Sequence, residues 1–100
     1  MIDLSNKVVL VTGGSRGIGA ATVKVLVSVG ADVIIHYSRS EERAKSLATA
    51  VGVSKTFLVQ ADLEDPNAPQ DLFDKALSWK GHIDVLVNNA GYGAIGAVEE

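Results

Sequence analysis

The sequence predicts an α/β fold: a doubly wound parallel sheet built in the order βαβαβαβ. Three observations carry that prediction. Short runs rich in Val and Ile alternate with segments whose apolar residues recur at helical spacing. Those runs are largely apolar on both faces, as strands covered by helices on two sides are. The first run also empties into a glycine-rich stretch, "VVLVTGGSRGIGAATVKVL" from Val8 to Leu26, and a helical pattern starts directly after it. Such alternation favours parallel strands joined by right-handed crossovers. In the nucleotide-binding version of this sheet the spatial order is 3-2-1-4, with the first two helices on one face and the third on the other.

Each element follows in turn. The first strand is predicted at residues 8–11. The helix after it is expected to bury Ile18, Ala21, Val25, Leu26 and Val29, at i, i+3, i+7, i+8 and i+11, and to stop at Gly30. Thr22 falls on that stripe, and the i−4 carbonyl of its own helix can take its hydroxyl proton. A second strand is predicted at residues 32–36. The second helix has Ser40 as N-cap, a stripe of Ala44, Leu47, Ala48 and Val51, and Gly52 as its stop. The third strand is predicted at residues 56–59. The third helix is entered through "DPNAPQ", with Pro69 in its first turn, where a missing N–H costs little. It carries Leu72, Phe73, Ala76 and Leu77 and ends at Gly81, and a fourth strand follows at residues 84–87.

Composition narrows the function classes. The 100 residues are 47% hydrophobic and 21% charged, with a net charge of -3 and no basic stripe, so a nucleic-acid partner is not expected. There is no cysteine, which excludes disulfides, thiolate metal sites and cysteine nucleophiles. His36 and His82 lie far apart without ligand-like spacing; both read as ordinary strand-end or loop residues, and no metal site is expected. "MIDLSNK" lacks the form of a signal peptide, and no apolar run approaches the roughly 20 residues of a spanning helix. The expectation is a cytoplasmic protein without a membrane partner.

A strand that ends in glycines and opens a helix makes an anion site. First-turn N–H groups point outward, the helix dipole favours negative charge, and missing side chains admit a pyrophosphate. The spacing narrows the ligand. A phosphate-binding P-loop needs Lys and then Ser or Thr after its last glycine, but Gly19 is followed by Ala20 and Ala21. G-x-G-x-x-G does not fit either; what stands is Thr12-Gly13-x-x-x-Gly17-x-Gly19. A later "GYGAIG", Gly91 to Gly96, does match G-x-G-x-x-G, but "NNA" separates it from the strand, and it reads as a loop.

Together, "TGGSRGIG", "ADL" (Ala61 to Leu63) and "NNAG" (Asn88 to Gly91) resemble the short-chain dehydrogenase/reductase family, over the whole chain. The resemblance implies a Rossmann-like sheet and a dinucleotide cofactor. It places Gly13, Ser15, Gly17, Ile18 and Gly19 along the pyrophosphate and adjoining ribose, and Asp62 and Leu63 at the adenine. Asn89, Ala90 and Gly91 would back the cofactor ribose. Asn88 is expected to hold strand ends together, and Thr12 to brace the loop.

The choice of cofactor turns on charge. An NAD site usually carries an acid at the end of the second strand, about 20 residues past the glycine loop, to hold the ribose 2′-OH. Here the segment reads "IIHYSRS", with no acid before Glu41. Arg39 beside Ser38, and Arg16 within the glycine loop, suit a 2′-phosphate, so NADP(H) is expected over NAD.

The family's proton-transfer pair, Tyr-x-x-x-Lys, is not in these residues: Tyr37 is followed four positions on by Glu41, and Tyr92 by Gly96. No catalytic residue is therefore assigned. The chain reads as residues 1–100 of a single NAD(P)-binding domain, the N-terminal portion of an oxidoreductase of about 250 residues. The resemblance implies that the intact protein is a homo-oligomer moving hydride between NADP(H) and a small carbonyl or alcohol. The alternative is a non-catalytic NADP(H)-binding or interaction module.

Overall fold

The computed structural model describes residues 2–89. Its elements run β1 (Val8–Thr12), α1 (Gly17–Ser28), β2 (Asp32–Tyr37), α2 (Glu41–Val51), a single 3-10 turn (Val53–Lys55), β3 (Thr56–Gln60), α3 (Ala68–Lys80) and β4 (Val85–Asn88). The four strands form one parallel sheet in the order β3-β2-β1-β4, as predicted. Leu10 of β1 pairs with Ile34 on one side and Leu86 on the other, and Ile34 pairs with Phe57.

Alternation along the central strands divides the core in two. Val8, Leu10 and Ile34, with Val59 and Ala61, pack beneath Ala68, Leu72 and Ala76 of α3. Val9, Val11, Val33 and Ile35 point the other way, onto Val23 of α1 and Leu47 of α2. All five residues of β1 are buried. Each large apolar side chain so enclosed contributes about 1.5–3 kcal/mol, so β1 and β2 carry much of the hydrophobic stabilisation.

The second helix starts after Ser40 and buries most of the expected stripe, although the Ser40 hydroxyl makes no capping hydrogen bond. Ala44, Leu47 and Ala48 are buried, and the chain leaves at Gly52, whose φ of 125° suits glycine. Pro69 stands in the first turn of α3, and Gly81 closes that helix in the left-handed region. The expected stripe of α1 is a correction. Ile18 is 77% exposed and Val25 62% exposed. The inward face runs through Gly19, Ala20, Val23, Leu26 and Val27 instead. Gly19 decides this rotation: a Cβ there would sit 2.2 Å from the Gly13 carbonyl oxygen, so only a glycine can turn toward the loop at that depth. Val23, Leu26 and Val27 then follow it inward at i+4, i+7 and i+8. Thr22 does donate its hydroxyl proton to the Ile18 carbonyl, at 2.8 Å.

Phe73 is a smaller correction, 42% exposed rather than buried. Trp79, absent from the expected stripe, stacks on Phe57 of β3 with ring centroids 5.4 Å apart. Every strand also extends one residue past its predicted end, to Thr12, Tyr37, Gln60 and Asn88. These polar or aromatic residues keep their ladder pairing after the apolar run has stopped.

Candidate functional site

The site lies at the carboxyl ends of β1, β2 and β3, where the order of connections reverses. Strands to one side of β1 are reached through α1 and α2, and β4 on the other side through α3. Open parallel sheets take ligands at such a reversal. A cleft of about 400 Å³ opens there, lined by the glycine loop, the end of β2 and the segment after β3. Gly13, Ser15 and Arg16 form one wall, Ser38 and Arg39 the outer end, and Asp62, Leu63 and Glu64 the far wall.

Two sets of hydrogen bonds hold the glycine loop. On the β4 side the Thr12 hydroxyl donates to Asn88 Oδ1 at 3.0 Å and accepts the Asn89 N–H at 2.9 Å. Thr12 and Asn88 thus tie strand ends together, as their expected bracing roles require. Asn89 sits under the loop, its side-chain amide directed at the Gly13 carbonyl at 3.5 Å. On the β2 side the Gly14 N–H donates to the His36 carbonyl at 2.9 Å, and the Gly13 N–H donates to His36 Nδ1, also at 2.9 Å. The other ring nitrogen, Nε2, lies 2.8 Å from the Ala61 carbonyl.

His36 is the residue that sequence reading missed. It is 2% exposed, not an ordinary strand-end residue. Burial pushes its imidazole below the ordinary 6.5, with the Ala61 hydrogen bond opposing. The available signal was a polar side chain directly after the apolar run Val33–Ile35, two positions before Ser38 of the expected cofactor corner.

The other expected residues divide by position. Gly13 has φ 63° and Gly17 φ 58°, turns that glycine makes without strain. Ser15 is buried at the cleft wall, whereas Arg16, Gly17 and Ile18 are exposed at the opening turn of α1. Gly19 faces inward, packed on Gly13 and Asn89. Since the Gly13 N–H is spent on His36, the loop's free donors toward the cleft come from the first turn of α1, whose leading N–H groups have no partner within the helix. Asp62 Oδ1 accepts the Glu64 N–H at 3.0 Å, which orients that carboxylate beside Leu63. Ala90 and Gly91, and the loop from Gly91 to Gly96 with Tyr92, lie outside the described residues.

Charge at the outer end is asymmetric. Arg16 and Arg39 are exposed, and neither forms an ion pair with a described residue. The nearest following acid, Glu41, is paired with Lys45 at 3.1 Å. Among the described residues no cluster of His, Cys, Asp and Glu could hold a metal ion, and no helix is long and apolar enough to cross a membrane.

The family model described as short chain dehydrogenase matches residues 7–100. The chain belongs to this family. A short-chain dehydrogenase/reductase from Serratia marcescens is 47% identical, with a TM-score of 0.83 over 89% of this chain and 37% of its own. A short chain dehydrogenase from Burkholderia cenocepacia, solved in complex with NADP, is 45% identical with a TM-score of 0.82, over 89% of this chain and 37% of that one. Versicolorin reductase of Emericella nidulans is 38% identical over 97% of this chain and 38% of its own length. The chain spans about two fifths of the curated relatives it matches. Short-chain dehydrogenases use a nicotinamide dinucleotide and small-molecule substrates, and the cleft of this one joins a glycine loop to a two-arginine rim.

Proposed function

We propose that this chain is the cofactor-binding portion of an NADP(H)-dependent short-chain dehydrogenase or reductase whose intact form acts on a carbonyl or alcohol. The observation that carries the cofactor preference is the outer end of the cleft. Residues 36–40 read His-Tyr-Ser-Arg-Ser, with no carboxylate, and the guanidinium groups of Arg16 and Arg39 stand free of ion pairs with the described residues. A ribose 2′-OH would find no acid there to accept its proton. A 2′-phosphate would find two planar donors suited to bidentate hydrogen bonding.

The fit to a dinucleotide extends along the cleft. First-turn amides of α1, with Ser15, offer donors to a pyrophosphate, and the dipole of the helix favours that charge. Gly17 leaves open space where a side chain would stand, with nothing within 4 Å of its missing Cβ. Leu63 gives an apolar wall for adenine, and Asp62, oriented by the Glu64 N–H, has a second oxygen to accept from the exocyclic amine. Ile18, exposed at the helix start, offers apolar surface toward the ribose beyond. A bound nicotinamide would supply or accept the hydride. The residues named here would hold the adenine, ribose and pyrophosphate of the cofactor, and none of them is assigned the proton transfer.

The test is a pair of titrations of the full-length protein, with NADPH and with NADH, repeated on Arg39→Ala and Arg16→Ala. Wild type is expected to prefer NADPH, and Arg39→Ala to weaken NADPH about tenfold or more while leaving NADH nearly unchanged. An unchanged ratio of the two affinities in both variants would overturn the NADP(H) assignment.

A further inference from the structure

We infer that His36 is a positioning residue for the cofactor loop: its neutral imidazole joins the Gly13 N–H to the Ala61 carbonyl and so fixes the spacing of the two cleft walls. In the sheet, β2 lies between β1 and β3. The ring stands at the end of the middle strand and reaches both neighbours, with contacts of 2.9 Å to Gly13 N and 2.8 Å to Ala61 O. Gly13 opens the glycine loop, and Ala61 immediately precedes Asp62 and Leu63 on the far wall. Backbone bonds run in parallel, from the Gly14 N–H to the His36 carbonyl and from the Ala61 N–H to the Tyr37 carbonyl, and both strand ends are thereby doubly held.

The two partners fix the tautomer. The Gly13 N–H is a donor, so Nδ1 must offer its lone pair; Nε2 then carries the proton and donates it to Ala61. A second proton on Nδ1 would face the Gly13 N–H and break that bond. Burial already disfavours the charged ring. The charged and titratable groups that share the cleft with the ring are Arg16 at the start of α1, Tyr37 and Arg39 at and after the end of β2, and Asp62 and Glu64 after β3. A protonated His36 therefore leaves the glycine loop held to β2 by the Gly14 backbone bond alone, and Gly13 is no longer fixed against the cleft wall.

This inference rests on the cofactor reading above, and one experiment separates them. Cofactor Kd is measured on the full-length protein for wild type, His36→Phe and His36→Asn between about pH 5.5 and 8, with kcat at saturating cofactor. His36→Phe keeps a planar ring but neither hydrogen bond, whereas His36→Asn keeps an acceptor within reach of the Gly13 N–H and has no ionisable ring. At pH 8 the Phe variant is expected to raise Kd about tenfold or more with kcat within about threefold of wild type, and the Asn variant to recover part of the loss. As pH falls below the ordinary histidine value of 6.5 toward the lowered value of the buried ring, wild-type Kd rises more steeply than that of His36→Asn. The 2′-phosphate titrates in the same window, so the signature is the difference between two proteins that share it. A Phe variant with wild-type Kd, or an Asn variant that keeps the full wild-type pH dependence, overturns the inference alone. A wild-type protein that binds neither NADPH nor NADH overturns the cofactor reading with it.

Discussion

The glycine loop is fastened to β4 by a hydroxyl and to β2 by an imidazole. Thr12 bridges Asn88 and Asn89 with contacts of 3.0 and 2.9 Å, while His36 bridges Gly13 and Ala61 with contacts of 2.9 and 2.8 Å. The lengths are alike and the chemistry is not. The hydroxyl and amides of the β4 seam carry no charge at any ordinary pH, so that seam is constant. The β2 seam has a backbone bond from the Gly14 N–H to the His36 carbonyl, but its side-chain bridge holds only while the ring is neutral. The two also differ in what they border: the β4 seam lies under the loop, whereas the β2 seam forms part of the cleft with the two arginines. One side of the loop is built for permanence, and the other couples the loop to the charge of the site.

The largest effect is expected where both seams meet. A Cβ on Gly19 would approach the Gly13 carbonyl oxygen to 2.2 Å and Asn89 Nδ2 to 2.7 Å, so Gly19→Ala must displace the loop from both. It should destabilise the full-length protein by about 3 kcal/mol, read by denaturant unfolding, and abolish measurable cofactor binding. Near-normal binding in Gly19→Ala would break the claim that the loop is held at contact distance.

Thr12→Val comes next. It keeps the shape but leaves the Asn89 N–H and Asn88 Oδ1 without their present partner, at a cost of about 2 kcal/mol. The loss should be the same at pH 6 as at pH 8 by the same measurement. Stability held by His36 behaves differently. Its folded-state value lies below the unfolded 6.5, so its contribution is complete above that pH and is lost as pH falls toward and through the folded value. A Thr12→Val deficit that varied with pH in that window would blur the distinction between the seams. Asp84 acts only in stronger acid. The Val8 N–H is the main cause holding its carboxyl below the ordinary 3.8, and its contribution is present above that pH and lost as pH falls through the folded value.

The smallest effect is expected at Gly17. A Cβ there meets nothing within 4 Å, so Gly17→Ala costs only the strain of a φ near 58°, about 1 kcal/mol. Equal losses at Gly17 and Gly19 would mean that close packing is not what distinguishes them.

These positions also show what the sequence made legible. The existence of the strands and the inward side of α2 followed from periodicity, because β1 and β2 are apolar on both faces and Ala44, Leu47 and Ala48 leave one choice of inward side, whereas the strand order came from the nucleotide-binding arrangement of such sheets. In α1 the apolar count misled. Ile18 and Val25 are hydrophobic yet exposed, because the inward face is chosen by the one residue small enough to touch Gly13, and hydropathy gives glycine no weight. His36 was hidden for another reason. Its partners are a backbone N–H 23 residues before it and a carbonyl 25 after it, and side-chain spacing carries no record of backbone groups. Trp79 found its stacking partner on β3 through the same long-range folding. The arginine pair, by contrast, was readable, since Arg16 and Arg39 line the same cleft, which Asp62 and Glu64 enter from the segment after β3.

The most direct test of the central claim is phosphorus NMR of NADP on the full-length protein, following the 2′-phosphate resonance through its second ionisation, near pH 6. A phosphate between Arg16 and Arg39 should stay doubly charged to lower pH than the free cofactor, because neighbouring positive charge favours the charged form, and Arg39→Ala should move the titration back toward the free value. A bound 2′-phosphate that titrates as it does in solution would contradict the account.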